Sequence, residues 1–243
     1  APVREQRSAP AQAGGASHFS SSRTPGPRAD RRMVQPSPDV RALRQRLRRL
    51  RRSIPAAERA AAHRAILLRL RRLNVLRPGA RVAVYVAMPG EVDLAGGLAP
   101  AALAGVRLYA PRIVSRRRLA MNFLPLAVDG RTAVNWFGIA EPTGGPAARR
   151  PPLAFDTVVV PLLGFDRRGV RLGMGAGYYD RMLRRRLDPA RDFRRPRLVG
   201  VAYACQELPS IDAAPWDVPL DYVVTESETI RCRHPSTAAA SPR

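Results

Sequence analysis

The chain has 243 residues, of which 45% are hydrophobic, and its formal net charge is +23 at pH 7. This length and apolar content suit one folded domain of about 200 residues, and they exclude a wholly disordered chain. No apolar run approaches the length of a bilayer span, so we expect a soluble, cytoplasmic monomer with no membrane contact. The two cysteines and three histidines lack zinc-like spacing.

The positive charge comes from arginine alone, since the chain contains no lysine. Residues 39–72 hold twelve arginines against two acids, and residues 181–197 hold eight against two. A basic surface attracts polyanions, including nucleotides. RNA binding is one interpretation, but these segments lack the interleaved aromatic side chains on which bases stack. We therefore favour a solvated helix face and a small anionic ligand over a nucleic-acid partner.

The ends of the chain differ in composition from its middle. Residues 1–38 are rich in Ala, Ser, Pro, Gly and Arg, and they have too few large aliphatic residues to bury a core. They resemble an organelle transit peptide without its amphipathic stripe, and translation from Met33 is the simpler alternative. We expect a disordered extension over 1–38, an α/β domain over 39–233 and a disordered tail over 234–243.

Within the domain, two helices precede an alternation of strands and helices. Apolar residues three and four positions apart predict helices over 39–52 and 53–73, and a shorter helix is expected over 94–104. Apolar, β-branched runs predict strands over 81–87, 106–114, 157–163, 198–204 and 222–225, with an edge strand over 121–126. Residues 135–142 are predicted to be irregular. The alternation favours a largely parallel sheet that is covered on both faces.

The most informative stretch follows the strand over 157–163. It reads RLGMGAGYYDR over residues 171–181, with glycines at alternate positions before a helix predicted over 178–187. Alternate glycines let an anion approach the backbone, and a helix N-terminus offers N–H groups to phosphate oxygens. The spacing is neither the dinucleotide fingerprint nor a Walker A loop, so a plain strand-to-helix turn is the alternative. The two tyrosines, the aspartate and the arginine that follow favour a nucleotide-phosphate loop.

A second polar group follows the strand over 81–87. The turn Met88-Pro89-Gly90-Glu91-Val92-Asp93 places two carboxylates at a strand's carboxyl end. Ligands of open α/β sheets bind at that edge. A solvated turn residue is the alternative interpretation of Glu91.

Six ordered blocks closely resemble the 5-formyltetrahydrofolate cyclo-ligase family. They cover about residues 40–230 and read LRQRLRRLRRSIPAAER, YVAMPGEVD, WFGIAEP, VVVPLLGFDRRGVRLGMGAGYYDR, VGVAYACQELP and PWDVPLDYVVTE. The resemblance implies a three-layer α/β/α fold of the kind shared with sugar-phosphate isomerases and CoA transferases. It also implies ATP- and Mg²⁺-dependent conversion of 5-formyltetrahydrofolate to 5,10-methenyltetrahydrofolate, with release of ADP and phosphate. The alternative is a non-catalytic protein on the same fold that binds RNA or the folate.

The resemblance further implies a nucleotide and metal site. The ATP loop would comprise Arg171, Leu172, Gly173, Met174, Gly175, Ala176, Gly177, Tyr178 and Tyr179. Asp180 and Asp217 would hold Mg²⁺, which proteins usually bind through one or two carboxylates plus phosphate oxygens and water. The alternatives are a helix-terminal charge for Asp180 and a turn acid for Asp217.

The residues expected to contact the folate, with or without a polyglutamate tail, are Val86, Glu91, Phe137 and Tyr178. The catalytic candidates are Tyr178 and Arg181. Simple core packing is the alternative for Phe137 and the adjacent Trp136, and an ion pair with a neighbouring acid is the alternative for Arg181.

The chain departs from the family pattern in its cations. Many members have an ATP-contacting lysine near the start of the first helix, for which Arg41 and Arg44 are the nearest replacements and Arg48 a further candidate. Many members also have a basic residue within the glycine loop, where this chain has Met174 and Ala176. Arginine changes the geometry of a phosphate contact. Arginines from elsewhere, or the metal, would therefore have to neutralise the γ-phosphate.

Overall fold

A computed structural model of the chain describes residues 38–126, 130–188 and 195–233. The predicted N-terminal extension, apart from Pro38, and the predicted C-terminal tail lie outside the described residues. None of the helices in the described ranges combines the length and apolar character that crossing a bilayer requires.

Seven strands of the described residues form the central sheet. They are β1 (Arg81–Ala83), β2 (Arg107–Ser115), β3 (Ala120–Pro125), β6 (Thr157–Pro161), β9 (Arg197–Val201), β10 (Tyr222–Val224) and β11 (Thr229–Arg231). Their order in the sheet is β11-β10-β9-β6-β1-β2-β3. The strands from β10 to β2 pair in parallel, while β3 and β11 pair antiparallel at the two edges. The predicted largely parallel sheet is confirmed.

Helices cover both faces of the sheet, because side chains alternate along each buried strand. The helices are α1 (Pro38–Ser53), α2 (Ala56–Arg72), α3 (Ala95–Leu103) and α4 (Tyr178–Leu183). Val159 of β6 lies in one core cluster with Ile66 of α2. Its neighbours Val158 and Val160 lie in a second cluster with Leu183 of α4. The three-layer arrangement therefore follows directly from the pleat of the strands.

Helix α1 packs against a third, smaller apolar cluster. Leu47 is 1% exposed and lies with Leu163, Leu172 and Leu208. Leu163 directly precedes a short antiparallel hairpin of β7 (Gly164–Phe165) and β8 (Arg171–Leu172). Leu172 ends the hairpin, which leads into the glycine loop. The apolar stripe of α1 therefore sets the arginines of this helix beside the loop.

Four local predictions differ from the structure. The first strand is regular only over β1, although the Val84 N–H still donates to the Tyr109 carbonyl at 2.8 Å. The region predicted to be irregular contains β5 (Ala140–Pro142), which pairs with β4 (Thr132–Val134), whose residues are all exposed. Strand β11 was not predicted. The helix after the glycine loop is α-helical only to Leu183 and continues as a 3₁₀ turn over Arg184–Leu187.

Candidate active site

The Glu91 turn and the glycine loop meet at one edge of the sheet. Strands β1 and β6 are parallel neighbours, with Ala83 opposite Val158. The turn over 88–93 follows β1, and the β7–β8 hairpin with its glycine loop follows β6. Because the carboxyl ends of parallel strands share an edge, the two predicted ligand-binding segments lie side by side.

Glu91 is buried, so its interpretation as a solvated turn residue is wrong. The residue is 8% exposed. Its carboxylate accepts hydrogen bonds from the Met88 N–H at 3.0 Å and from the Arg51 guanidinium at 3.4 Å. Burial raises the pKa of Glu91, while the Met88 N–H and Arg51 oppose that rise. The result is a desolvated carboxylate whose polar partners come from its own turn and from α1.

Two buried tyrosines hold the backbone of this turn. The Tyr85 hydroxyl donates to the Val92 carbonyl, and the Tyr203 hydroxyl donates to the Glu91 carbonyl at 3.4 Å. The Tyr203 hydroxyl also lies 2.8 Å from Nε2 of His63. Burial raises the pKa of Tyr203 to about 12, so its phenol stays neutral. The turn is therefore positioned from three other segments of the chain.

The glycine loop is an exposed segment with a backbone that needs glycine at two positions. Gly175 has a φ of 105° and Gly177 a φ of 69°, a region that residues with a Cβ rarely adopt. A Cβ on Gly173 would meet nothing within 4 Å, so this position faces open space. Met174 is 42% exposed. The backbone of the loop is therefore accessible to a ligand.

Helix α1 supplies the arginines that touch this loop. Nε of Arg44 donates to the Gly173 carbonyl at 3.0 Å. Nη2 of Arg48 lies 3.9 Å from Sδ of Met174. Partial burial and the charge of Arg48 lower the pKa of Arg44. The side chain of Arg41 is exposed, and its predicted role remains untested.

Asp180 and Asp217 are brought together on the other side of the loop. The buried guanidinium of Arg171, 5% exposed, pairs with Asp180 and also donates to the Val218 carbonyl. The Val218 N–H donates to the same Asp180 carboxylate at 3.2 Å. Asp217 accepts a hydrogen bond from the Ala214 N–H at 2.9 Å. Burial raises the pKa of Asp217, and the nearby charge of Asp180 adds to that rise.

The two tyrosines after the glycines face different neighbours. Burial raises the pKa of Tyr179, and the charge of Glu91 raises it further. Burial also raises the pKa of Tyr178, whose charged neighbours are instead Arg116 and Glu141. The charge that acts on Tyr179 therefore belongs to the Glu91 turn, whereas the charges that act on Tyr178 belong to Arg116 and to Glu141 of the β4–β5 hairpin. The predicted catalytic Arg181 has an exposed side chain, while its N–H donates to the Gly177 carbonyl at 3.1 Å.

The hairpin presents two aromatic rings to solvent. Buried Glu141 accepts hydrogen bonds from the Ile113 N–H at 2.9 Å and from the Asn135 amide at 2.7 Å. The Asn135 side-chain oxygen in turn accepts from the Phe137 N–H at 2.8 Å. Trp136 is 64% and Phe137 is 45% exposed, so core packing is wrong for both. Polar contacts fix their turn. The guanidinium carbon of Arg116 lies 6.0 Å from the ring centroid of Trp136 and 5.9 Å from that of Phe137, so the exposed rings share one cation.

Two recesses lie beside the hairpin. One of about 230 Å³ is lined by Arg112, Ile113, Val114, Asn122, Leu124, Trp136 and Arg149. The other, of about 380 Å³, is lined by Arg112, Ile113, Ala133, Val134, Asn135, Trp136, Glu141, Pro142 and Thr143. Only the second reaches the roughly 300–1,000 Å³ of typical ligand pockets. Neither lining includes a residue of the glycine loop or of the Glu91 turn, so a ligand bound to those two segments would lie on the open surface.

Sequence reasoning named Arg48 only as a further candidate for the ATP contact, and it did not single out Arg51. Both belong to a run of arginines without distinguishing composition. Arg44, Arg48 and Arg51 are three or four residues apart, so they lie on one face of the helix. This spacing was the one feature of the sequence that could have grouped them at the site.

Comparison with known proteins identifies the family of the chain. The profile of the 5-formyltetrahydrofolate cyclo-ligase family matches residues 36–226. The 5-formyltetrahydrofolate cyclo-ligase of Haemophilus influenzae is 29% identical over 180 residues, which cover 73% of this chain and 92% of that protein. Its counterpart in Mycolicibacterium smegmatis is 32% identical over 195 residues, covering 77% and 94%.

A solved structure is also similar to this chain. The NMR structure of Aquifex aeolicus 5,10-methenyltetrahydrofolate synthetase is similar with a TM-score of 0.67 at 31% identity, covering 82% of this chain and 95% of that one. A synthetase structure from Mycoplasma pneumoniae has a TM-score of 0.60 at 24% identity, which supports the fold alone. The match of the family profile to most of the chain establishes that this protein belongs to the 5-formyltetrahydrofolate cyclo-ligase family.

Proposed function

We propose that this protein catalyses the ATP-dependent cyclisation of 5-formyltetrahydrofolate to 5,10-methenyltetrahydrofolate, releasing ADP and phosphate. The observation that carries this proposal is the sheet edge shared by the buried Glu91 turn and the exposed glycine loop, where the charge of Glu91 acts on buried Tyr179. One segment suits a polar heterocycle and the other suits a polyphosphate. A reaction that joins a folate formyl group to ATP needs both ligands at one edge of the sheet.

The folate would bind at the Glu91 turn. A desolvated carboxylate is a strong acceptor for ring N–H groups of the reduced pterin. Val86 is half-buried after β1, and the exposed ring of Phe137 offers an apolar wall on the opposite side. Tyr178 begins α4 directly after the glycine loop, and its hydroxyl would meet the formyl group there. We propose that folates with or without a polyglutamate tail are substrates, since the tail would extend into solvent.

ATP would bind along the glycine loop, from Arg171 to Tyr179, with Arg44 and Arg41 as the cations from α1. The contact of Arg44 with the Gly173 carbonyl places its guanidinium beside the exposed backbone. This contact favours Arg44 over Arg41 as the ATP-binding arginine of α1. Arg171 is already paired with Asp180, so its main part would be to fix the loop and that carboxylate.

Asp180 and Asp217 fit a Mg²⁺ site of the kind that phosphate oxygens complete. Their charges lie close enough to interact, and the described residues contain no group of three or more His, Cys, Asp or Glu side chains that could hold a metal without a ligand. Mg²⁺ commonly uses one or two carboxylates plus phosphate oxygens and water. When bound, the ion would neutralise charge on the β- and γ-phosphates.

The reaction would proceed in two steps whose atoms balance. The formyl oxygen attacks the γ-phosphorus, the bond to the β-phosphate oxygen breaks, and ADP leaves. The N10 lone pair then attacks the activated formyl carbon, the carbon–oxygen bond breaks, and phosphate leaves with the formyl oxygen while N10 loses its proton. Phosphoryl transfer needs mainly alignment and charge neutralisation. Tyr178 and Arg181 are the candidates for orienting the formyl oxygen and stabilising the transferred group.

A spectroscopic assay tests the proposal. Purified protein mixed with 5-formyltetrahydrofolate and MgATP should produce the near-ultraviolet absorbance of methenyltetrahydrofolate, and no absorbance change should occur without ATP. A folded protein that binds the folate but forms no product would instead be a folate-binding regulator. RNA binding with a steep salt dependence and no turnover would indicate the nucleic-acid alternative. We also propose that the active form is a cytoplasmic monomer, which sedimentation and fractionation would test.

A further inference from the structure

We propose that Arg48 of α1, acting with Arg44, is a cationic phosphate-binding group of the glycine loop and replaces a basic side chain that the loop itself lacks. This inference rests on the proposed function, because the phosphate concerned belongs to ATP. It assigns phosphate binding to a residue outside the loop. It also predicts that MgATP binding is kept when the guanidinium is moved from residue 48 to residue 174.

The glycine loop carries no cation of its own. Residues 172–179 read LGMGAGYY and contain no Arg, Lys or His. The flanking Arg171 is 5% exposed and paired with Asp180. Its guanidinium therefore neutralises a carboxylate rather than an exposed ligand. A polyphosphate at this loop needs positive charge from another segment.

Helix α1 is placed to supply that charge. Arg44 and Arg48 are one helical turn apart, so their side chains project from the same face. The packing of Leu47 against Leu163 and Leu172 holds this face against the loop. Arg44 donates to the Gly173 carbonyl at 3.0 Å, and its guanidinium carbon lies 3.5 Å from the position that a Cβ on Gly175 would take.

No carboxylate of residues 38–126, 130–188 or 195–233 forms an ion pair with Arg44 or Arg48. The pKa of Arg44 is lowered by burial and by the charge of Arg48. Two neighbouring guanidiniums without a counter-ion disfavour each other, and a bound anion between them would remove that cost.

Arg48 reaches the position where a loop cation would lie. Its Nη2 atom is 3.9 Å from Sδ of Met174, whose side chain is 42% exposed. The Arg48 guanidinium therefore lies beside the side chain of residue 174, the position from which a basic residue of the loop would carry its charge. In this chain the cation beside that position comes from α1.

The test measures MgATP binding by calorimetry without folate, in parallel with the absorbance assay. Arg48→Gln should weaken MgATP binding about tenfold, the size of one hydrogen bond to a charged group. The binding of 5-formyltetrahydrofolate alone should be unchanged. Arg49→Gln is the matched control, since Arg49 is exposed on the other side of α1, and it should bind MgATP as the wild type does. Circular dichroism checks that each variant is folded.

A double variant that moves the guanidinium to residue 174 distinguishes phosphate binding by Arg48 from a purely structural role. The double variant Arg48→Gln/Met174→Arg should recover MgATP binding to within about threefold of the wild type, since it restores one guanidinium at the same place. Unchanged binding in Arg48→Gln, or a double variant no better than Arg48→Gln, would overturn the proposal. Failure of the wild type to bind MgATP would overturn it as well. If the wild type binds MgATP in an Arg48-dependent way but forms no methenyl product, the proposed function fails and the Arg48 assignment stands.

Discussion

The Arg51 guanidinium lies 3.4 Å from the Glu91 carboxylate, and the two side chains are only 4% and 7% exposed. Arg51 belongs to the same face of α1 that places Arg44 and Arg48 against the glycine loop. One helix therefore contacts both halves of the candidate site. This arrangement means that α1 positions the Glu91 turn and the glycine loop relative to each other.

Removing Arg51 should destabilise the protein strongly. Arg51→Met leaves the buried Glu91 carboxylate without its counter-charge, which typically costs roughly 3–5 kcal/mol. The double variant Arg51→Met/Glu91→Gln removes both charges and should recover part of that loss. Urea unfolding followed by circular dichroism measures both effects. Equal stability of Arg51→Met and the wild type would show that the ion pair does not support the turn.

Asp217→Asn should abolish most turnover and raise the Mg²⁺ concentration needed for the remainder, while unfolding stability changes by less than about 1 kcal/mol. The hydrogen bond from the Ala214 N–H can be kept by the amide oxygen. Asp180→Asn should also abolish turnover, but it leaves buried Arg171 without a counter-charge and should unfold more readily. Asp212→Asn, at an exposed position, is the control. Normal Mg²⁺ dependence in Asp217→Asn would contradict the metal assignment.

Phe137→Ala should raise the KM for 5-formyltetrahydrofolate by about tenfold, the order expected for losing one aromatic contact to a ligand. The ring is exposed, so unfolding stability should change by less than about 0.5 kcal/mol. Val134→Ala on the same hairpin is the control, because Val134 is 74% exposed and has no predicted role. A lower melting temperature with an unchanged KM would make Phe137 a structural residue.

His63 should make stability depend on pH in mildly acidic solution. Burial lowers the pKa of His63 below its ordinary value of 6.5, with Asp93 opposing and Arg59 adding to that effect. Below that value the unfolded chain binds a proton more readily than the native protein, so this contribution to stability is complete above pH 6.5 and is lost as pH falls. Between about pH 7.5 and about pH 5.5, the unfolding free energy of His63→Gln should therefore fall less than that of the wild type. Parallel slopes in the two proteins would contradict this account.

The sequence predicts the helices and buried strands well, because Leu47, Ile66 and Val158–Val160 follow the periodicities of the faces they bury. It predicts the glycine loop because Gly175 and Gly177 have conformations that other residues avoid. It does not predict the β4–β5 hairpin, since the β4 residues are all exposed and carry no apolar alternation. Glu91 and Arg51 show the remaining limit. Nothing in the composition of the turn or the arginine run indicates that these two side chains are buried together, because that depends on the packing of α1 across the sheet edge.

The most direct test of the central claim uses 5-formyltetrahydrofolate labelled with ¹⁸O in its formyl group. In one reaction with MgATP, methenyltetrahydrofolate is followed by absorbance, ADP by chromatography and phosphate by mass spectrometry. We predict one ADP for each methenyl product and ¹⁸O in the released phosphate, because the formyl oxygen leaves with the γ-phosphoryl group. Methenyl product without ADP, or unlabelled phosphate, would contradict the account.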